Sequence, residues 1–251
     1  MPRFAKAAAA LEEVERWLLP PACLLCEQPV PVREDDALIC GLCRSRWRPV
    51  AGPWCERCGQ PTLGDLACRL CAAWPPGLGR VRSAVWLEGT ARDAVHRLKY
   101  EGWWRIGQTL ADAMRTLEPL TGQVCLIPVP LGTRRLRERG YNQSEQIASA
   151  LGAKLGLPVR TDWLVRVTET RTQTALTPEA RQANVAGAFE TRGLAGAECV
   201  PAEPAVPACV LVDDVFTTGA TLAEAGAALV AGGAPRVEAV TFARARLPVQ
   251  L

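Results

Sequence analysis

Eight cysteines between Cys23 and Cys71 fall into four C-x-x-C pairs, and few folds accommodate that pattern. The spacing is Cys23-x2-Cys26, thirteen residues, Cys40-x2-Cys43, then Cys55-x2-Cys58, nine residues, Cys68-x2-Cys71. One C-x-x-C turn presents two thiolates, and two such turns complete a tetrahedral four-cysteine zinc site. Gly41 and Gly59 stand where knuckle turns need backbone freedom. Two zinc-ribbon-like sites are therefore expected. Each would be closed to substrate and so structural, contributing on the order of 10 kcal/mol of folding free energy to a small module. Sequential pairing is the simplest wiring, while an interleaved arrangement uses the same spacing. Redox dithiols explain the pattern less well, since four pairs at ribbon spacing exceed what a redox centre needs.

Compartment and composition narrow the class. Cys125, Cys199 and Cys209 are scattered singly, and Glu12, Glu13, Glu15 and Arg16 interrupt any apolar run near the N-terminus. Neither a secretory signal nor a membrane span is expected, and paired cysteines in a reducing cytoplasm point to metal rather than disulfides. A hydrophobic fraction of 49% in 251 residues supports a buried core. With a net charge of +3, attraction of the whole molecule to a polyanion is excluded, so nucleic-acid binding would need a local patch.

Along the chain, residues 5 to 19 read as a short amphipathic helix stopped by Pro20-Pro21, and WPPGLG (Trp74 to Gly79) reads as a linker or domain edge. The expected division is a zinc module over 1–76 and an α/β domain over 77–251. In the second part, strands are expected over 81–89, 123–130, 208–215 and 236–244. Helices are expected over 90–99, 103–117, 142–155 (with Gly156 as C-cap) and 222–231, ended by Gly232-Gly233. A basic loop is expected between the second strand and Gly140, and a proline- and alanine-rich loop over 192–208. Strands alternating with helices argue for a parallel sheet.

The stretch from Val210 to Thr221 carries the chemistry. An apolar strand delivers Asp213 and Asp214 at its C-terminal end, and a turn of Thr217, Thr218, Gly219, Ala220 and Thr221 opens a helix. Backbone N–H groups of such a turn and the helix N-terminus cradle a phosphate dianion, with threonine hydroxyls adding donors. Carboxylates beside that nest can accept hydrogen bonds from two sugar hydroxyls. Because residues alternate along a strand, one acid points at a ligand while the other flanks it. An acidic metal site or an ordinary helix-capping turn is the plainer reading.

This stretch resembles, residue for residue, the fingerprint of type I phosphoribosyltransferases. Ile127-Pro-Val-Pro-Leu131, Arg134, Arg135, Arg139-Gly-Tyr-Asn-Gln143 and His96-Arg-Leu-Lys-Tyr100-Glu-Gly102 resemble the ComF family of competence-associated phosphoribosyltransferase-like proteins. So do Thr170, Gln173, Leu176, Arg181 and Asn184 through Phe189, and the preceding double cysteine module. The resemblance implies an α/β, parallel-sheet type I phosphoribosyltransferase fold behind the zinc-ribbon module. The implied ligand is 5-phosphoribosyl-1-pyrophosphate bound with Mg2+. Asp213 and Asp214 would be the catalytic acids. The Thr217–Thr221 turn would hold the 5-phosphate, and Arg134, Arg135, Arg139 and Gly140 would face the pyrophosphate. Arg181 and Asn184 either close on the ligand or pack a helix, and Lys99 is either a phosphate contact or a surface residue.

Three functions remain open on sequence. The first is a ligand-gated protein of DNA uptake that handles single-stranded DNA with the uptake machinery, cytoplasmic or held at the inner face of the membrane through partners. The second is an active phosphoribosyltransferase releasing pyrophosphate to an unidentified acceptor, and the third a zinc adaptor with a relict nest. His96 is the sole histidine, which excludes a histidine-based triad. Trp17, Trp47, Trp54, Trp74, Trp86, Trp103 and Trp104 fall in the first 104 residues. They are either stacking platforms for single strands or the core of the metal module.

Overall fold

The computed structural model describes residues 21–30, 38–62, 68–122, 124–168, 185–194 and 208–246. The expected helix over 5–19, the segment from Thr170 to Asn184 and most of the loop over 192–208 lie outside these residues.

The cysteines assemble sequentially, Cys23, Cys26, Cys40 and Cys43 in one group and Cys55, Cys58, Cys68 and Cys71 in the other, each with its sulfurs within 4.8 Å of one another. Sequence allowed two wirings, and the chain takes the local one. The two groups are built alike. In each, the residue after the first C-x-x-C is left-handed, Glu27 at φ 61° and Gly59 at φ 68°. A side chain at Gly59 would meet the Val81 carbonyl oxygen at 2.5 Å, so this position requires glycine. The second C-x-x-C of each group starts a short helix, α1 (Gly41–Ser45) N-capped by Cys40 and α2 (Arg69–Ala72) N-capped by Cys68. Gly41 thus opens a helix rather than relaxing a knuckle.

The sulfur geometry fits zinc. A tetrahedron with Zn–S bonds of about 2.3 Å has edges of about 3.8 Å. Cys23–Cys43, Cys26–Cys40, Cys55–Cys71 and Cys58–Cys68 are separated by 3.9, 3.7, 3.8 and 3.5 Å. Burial pushes the Cys43 and Cys58 thiols well above their usual range and Cys71 up to about 11. Four clustered thiolates therefore need a cation bound among them to offset their mutual repulsion.

Beyond the lobes the chain forms β1 (Leu78–Trp86), α3 (Gly89–Tyr100), α4 (Ile106–Met114), β2 (Val124–Pro128), α5 (Thr133–Arg139) and α6 (Gln143–Leu155). There follow β3 (Leu164–Arg166), β4 (Phe189–Thr191), β5 (Ala208–Phe216), α7 (Ala220–Ala231) and β6 (Val237–Arg244). Strands β1, β6, β5 and β2 pair in that order, all parallel, and β3 pairs antiparallel with β4. Parallel strands covered on both faces read as continuous apolar runs, as VCLIP and ACVLV do. Alternate residues then feed two cores. Leu126, Val210, Val212 and Phe242 meet α3, α4 and α6 on one face, and Cys125, Ile127, Cys209 and Leu211 meet α7 on the other.

Each cysteine lobe joins one of these cores. Cys23, Cys40, Cys43 and Trp47 pack with the first, Trp47 edge-on against Phe242 at 4.9 Å. Cys58, Cys71 and Trp74 pack with the second. The lobes also cover the open β1 edge: Trp86 donates to the Arg48 carbonyl, Val50 to that of Ala84, and Val81 to that of Arg57. This blocks edge-to-edge association. WPPGLG is not a free linker, since Trp74 is buried and β1 begins at Leu78.

The expected basic loop after β2 is instead helical from Thr133 to Arg139, because Arg, Leu and Glu are strong helix formers and Gly140 supplies a left-handed C-cap at φ 81°. Gly156 caps α6 as expected, at φ 67°. No helix among the described residues is long and apolar enough to cross a membrane.

Elemental analysis is expected to find two zinc ions per chain, and Cys43→Ser or Cys58→Ser to retain one. Chelation is expected to lower the thermal midpoint and expose Trp47 and Trp74, read as a red shift of tryptophan emission.

Candidate functional site

The carboxyl ends of β2 and β5 open on a cleft of about 650 Å³. That volume lies within the range of small-ligand sites. Both members of the acid pair line it, with Thr217, Gly219, Ala220 and Thr221 of the following turn. The turn ends at Gly219, left-handed at φ 79°, which N-caps the 12-residue helix α7. Asn142 N-caps α6 by accepting from the Ser144 N–H, and Gln143, the first residue of α6, lines the cleft. Two positive helix ends thus converge on the acids.

The acids are held differently. Asp213 Oδ1 accepts from Ser144 Oγ at 2.8 Å and from the Asp214 backbone N–H at 2.9 Å. Asp214 is only 2% exposed and pairs with Lys99 Nζ at 2.9 Å, while its Oδ2 is buried without a hydrogen-bond partner. Burial, reinforced by the charge of Asp214, pushes the Asp213 carboxyl up to about 7; Lys99 and the Ser144 hydroxyl oppose the shift. Asp213 therefore gains or loses its proton near neutrality.

The wall opposite is built by the run Arg139-Gly-Tyr-Asn-Gln143, whose members each have a structural task. Arg139 lines the cleft, donates to Gln143 Oε1 and lies over the Tyr100 ring at 5.6 Å. Gly140 ends α5, Tyr141 donates to the Leu98 carbonyl, and Asn142 donates to the Val129 carbonyl at 3.0 Å. The run thereby ties α5 and α6 to β2 and α3. Arg135 lines the cleft as well, half-buried. Arg134 does not: it is exposed and pairs with Glu138 along α5 at 2.8 Å. Gly140 and Thr218 also lie outside the lining, Thr218 being buried with its carbonyl accepting from the Trp74 indole N–H at 3.2 Å.

Several cleft residues were not evident in the sequence. Lys99, which sequence leaves as either a phosphate contact or a surface residue, lines the cleft and reaches Asp214 from the last turn of α3. Ser144 stands one residue beyond the motif that marks its neighbourhood. Arg166 of β3 enters the lining from a strand with no sequence signal of its own. His96 is exposed and meets Glu101 at 3.2 Å, away from the acids. Among the tryptophans, Trp47, Trp74 and Trp163 are buried, whereas Trp103 and Trp104 are 40% and 49% exposed, just beyond the cleft residues Tyr100 and Gly102. Among the described residues, groups of three or more metal-binding side chains occur only at the two cysteine sites.

Comparison with known proteins agrees with this architecture. Residues 14–72 match the family described as a double zinc ribbon domain. DNA utilization protein YhgH of Salmonella typhi is 30% identical over 88% of this chain and 95% of its own length. Competence protein ComFC of Bacillus subtilis is 26% identical over 88% of this chain and 94% of its own, and competence protein F of Haemophilus influenzae 28% over 89% and 96%. At that identity over nearly the full length of both chains, the protein belongs to the ComF/YhgH family of competence and DNA-utilization proteins with a double zinc ribbon.

Proposed function

We propose that the cleft binds 5-phosphoribosyl-1-pyrophosphate with Mg2+, and that the protein acts on single-stranded DNA in DNA uptake. One observation carries the ligand reading: the acid pair, the α7 N-terminus and the arginines Arg135 and Arg139 line a single cleft. The Thr217–Thr221 turn receives the 5-phosphate, as helix N-termini do for phosphate dianions. Asp213 and Asp214 accept from the ribose hydroxyls, and Arg135 and Arg139 meet the pyrophosphate as charge-assisted donors. Mg2+ keeps few protein ligands when phosphate oxygens are available, so the ligand itself would carry it. The uptake role rests on the names of the relatives and on the exposed pair Trp103 and Trp104, followed in sequence by Arg105, a combination suited to stacked bases and a phosphate backbone.

A second reading is transfer of the ribose 5-phosphate. An acceptor lone pair would form the bond to the anomeric carbon as the bond to pyrophosphate breaks. Tyr100, 66% exposed at the cleft wall, favours this by offering a face for an acceptor ring. Release of pyrophosphate on adding nucleobases or amines would separate transfer from binding alone.

Calorimetric titration of the zinc-loaded protein with the Mg2+ complex of the ligand is expected to show saturable binding. Asp213→Asn and Asp214→Asn are each expected to weaken it by roughly tenfold to a hundredfold, the loss of a charge-assisted hydrogen bond. No heat in the unaltered protein would overturn the reading.

A sugar hydroxyl donates to a carboxylate, so binding needs Asp213 ionised, and its pKa of about 7 leaves it mostly protonated in acid. Affinity is expected to hold above that pH and to fall by as much as about tenfold per unit below it, relative to Asp213→Asn measured in parallel. A flat ratio of the two across pH 5.5–8 would contradict this assignment.

Trp103→Ala with Trp104→Ala is expected to weaken binding of a fluorescent oligothymidylate by roughly tenfold or more. Ligand affinity in the cleft should be unchanged, and the binding of single strands should weaken steeply with salt.

A further inference from the structure

The phosphate turn has a second wall made by the zinc module, and we infer that the second cysteine lobe is a positioning device for that turn, its zinc retention coupled to occupancy of the cleft. The inference rests on the ligand reading above, and the contacts of Trp74, Arg57 and Arg244 carry it. Trp74, three residues after Cys71, donates its indole N–H to the carbonyl of Thr218, inside the turn. The indole also lies flat against Gly219: a Cβ there would meet Trp74 Cζ2 at 2.1 Å and Phe216 Cε2 at 2.8 Å. Arg57, within the Cys55–Cys58 knuckle, donates to the carbonyls of Cys71 at 3.0 Å, Pro75 at 2.9 Å and Leu78 at 3.2 Å, and lies over the Trp74 ring at 5.5 Å. Arg244, fully buried, donates to the Cys58 carbonyl and stacks on Phe216 at 3.8 Å.

A packed path therefore runs from the sulfurs of the second lobe through Arg57 and Trp74 to the turn, with a parallel path through Arg244 and Phe216. Among the described residues the first lobe reaches the cleft through α3 and not through the turn itself. Its Trp47 packs on Phe242 in the opposite core, and the Cys43 carbonyl accepts from Thr90 at the start of α3. The indole holds the Thr218 carbonyl and backs Gly219, whose missing side chain leaves room for it. If zinc orders the wall and the wall orders the turn, a ligand that orders the turn must stabilise the zinc site in return.

The test uses the full chain with both zinc ions bound. Trp74→Phe keeps the ring and removes the N–H donor. It is expected to retain both ions and weaken titration by the Mg2+ complex of 5-phosphoribosyl-1-pyrophosphate by roughly fivefold, one net hydrogen bond. Trp47→Phe is expected to leave the affinity unchanged. In the unaltered chain, zinc release into a chromophoric chelator is expected to be biphasic. Saturating ligand should slow one phase alone, an effect lost in Trp74→Phe. Equal affinities of Trp74→Phe and the unaltered chain would overturn the coupling while sparing the ligand reading, as would a ligand that slows both phases equally or neither. An unaltered chain that binds no ligand would overturn both. The release measurement on the unaltered chain decides the matter even if Trp74→Phe fails to fold.

Discussion

A pair of adjacent carboxyl groups, Asp214 buried and Asp213 half-buried at the cleft, is the constraint on which this molecule depends. Desolvating two acids side by side at the end of an apolar strand costs several kcal/mol per charge unless donors and cations surround them. The surroundings supply them from three elements: Lys99 from the end of α3, Ser144 from the start of α6, and the Asp214 backbone N–H of β5 itself. Even so, one oxygen of Asp214 keeps no partner, and Asp213 shifts its pKa to about 7. A buried carboxylate oxygen left without a hydrogen bond on a cleft wall marks a place where function is expected.

Holding those three elements in register is the work of the first core. Leu98 of α3, Ile147 of α6 and Val212 of β5 are buried in it together, and each precedes or follows by a few residues a side chain of the cleft. The Arg139–Gln143 run adds a hydrogen-bonded brace between the same elements. Close packing then transmits position: displacing α3 by a fraction of an ångström moves Lys99 relative to Asp214.

The zinc lobes are part of this arrangement rather than an appendage. One is buried on each face of the sheet, and together they cover its β1 edge. Zinc orders the short knuckles, and their tryptophans enter the two cores, so metal binding and sheet packing support each other. Buried Arg244, drawn down to about 10 by desolvation, bridges the second lobe to β5 through Cys58 and Phe216.

Much of this was legible in the chain itself. Four C-x-x-C pairs announce metal because only thiolates at that spacing close a tetrahedron. The run from Val210 to Thr221 announces a strand, two acids and a glycine turn that opens a helix, because apolar length, charge and glycine each have one economical backbone solution. What sequence missed has a common cause. The helix over Thr133–Arg139 was taken for a loop because its charges lack an apolar period, although its local propensity is high. The pairing of Lys99 with Asp214 and of Ser144 with Asp213 has no sequence signal because each joins residues more than sixty positions apart. Trp74 looked like part of a linker because its partner, Thr218, is 144 residues distant. Local chemistry, set by neighbours along the chain, was thus determined by the sequence alone: the zinc ligands, the four strands of the parallel sheet, and the acids with the turn that follows them. Which wiring the cysteines take, which arginines face the cleft and which lobe backs the phosphate turn were decided only by tertiary packing, since each depends on a contact between segments that meet only when the sheet forms.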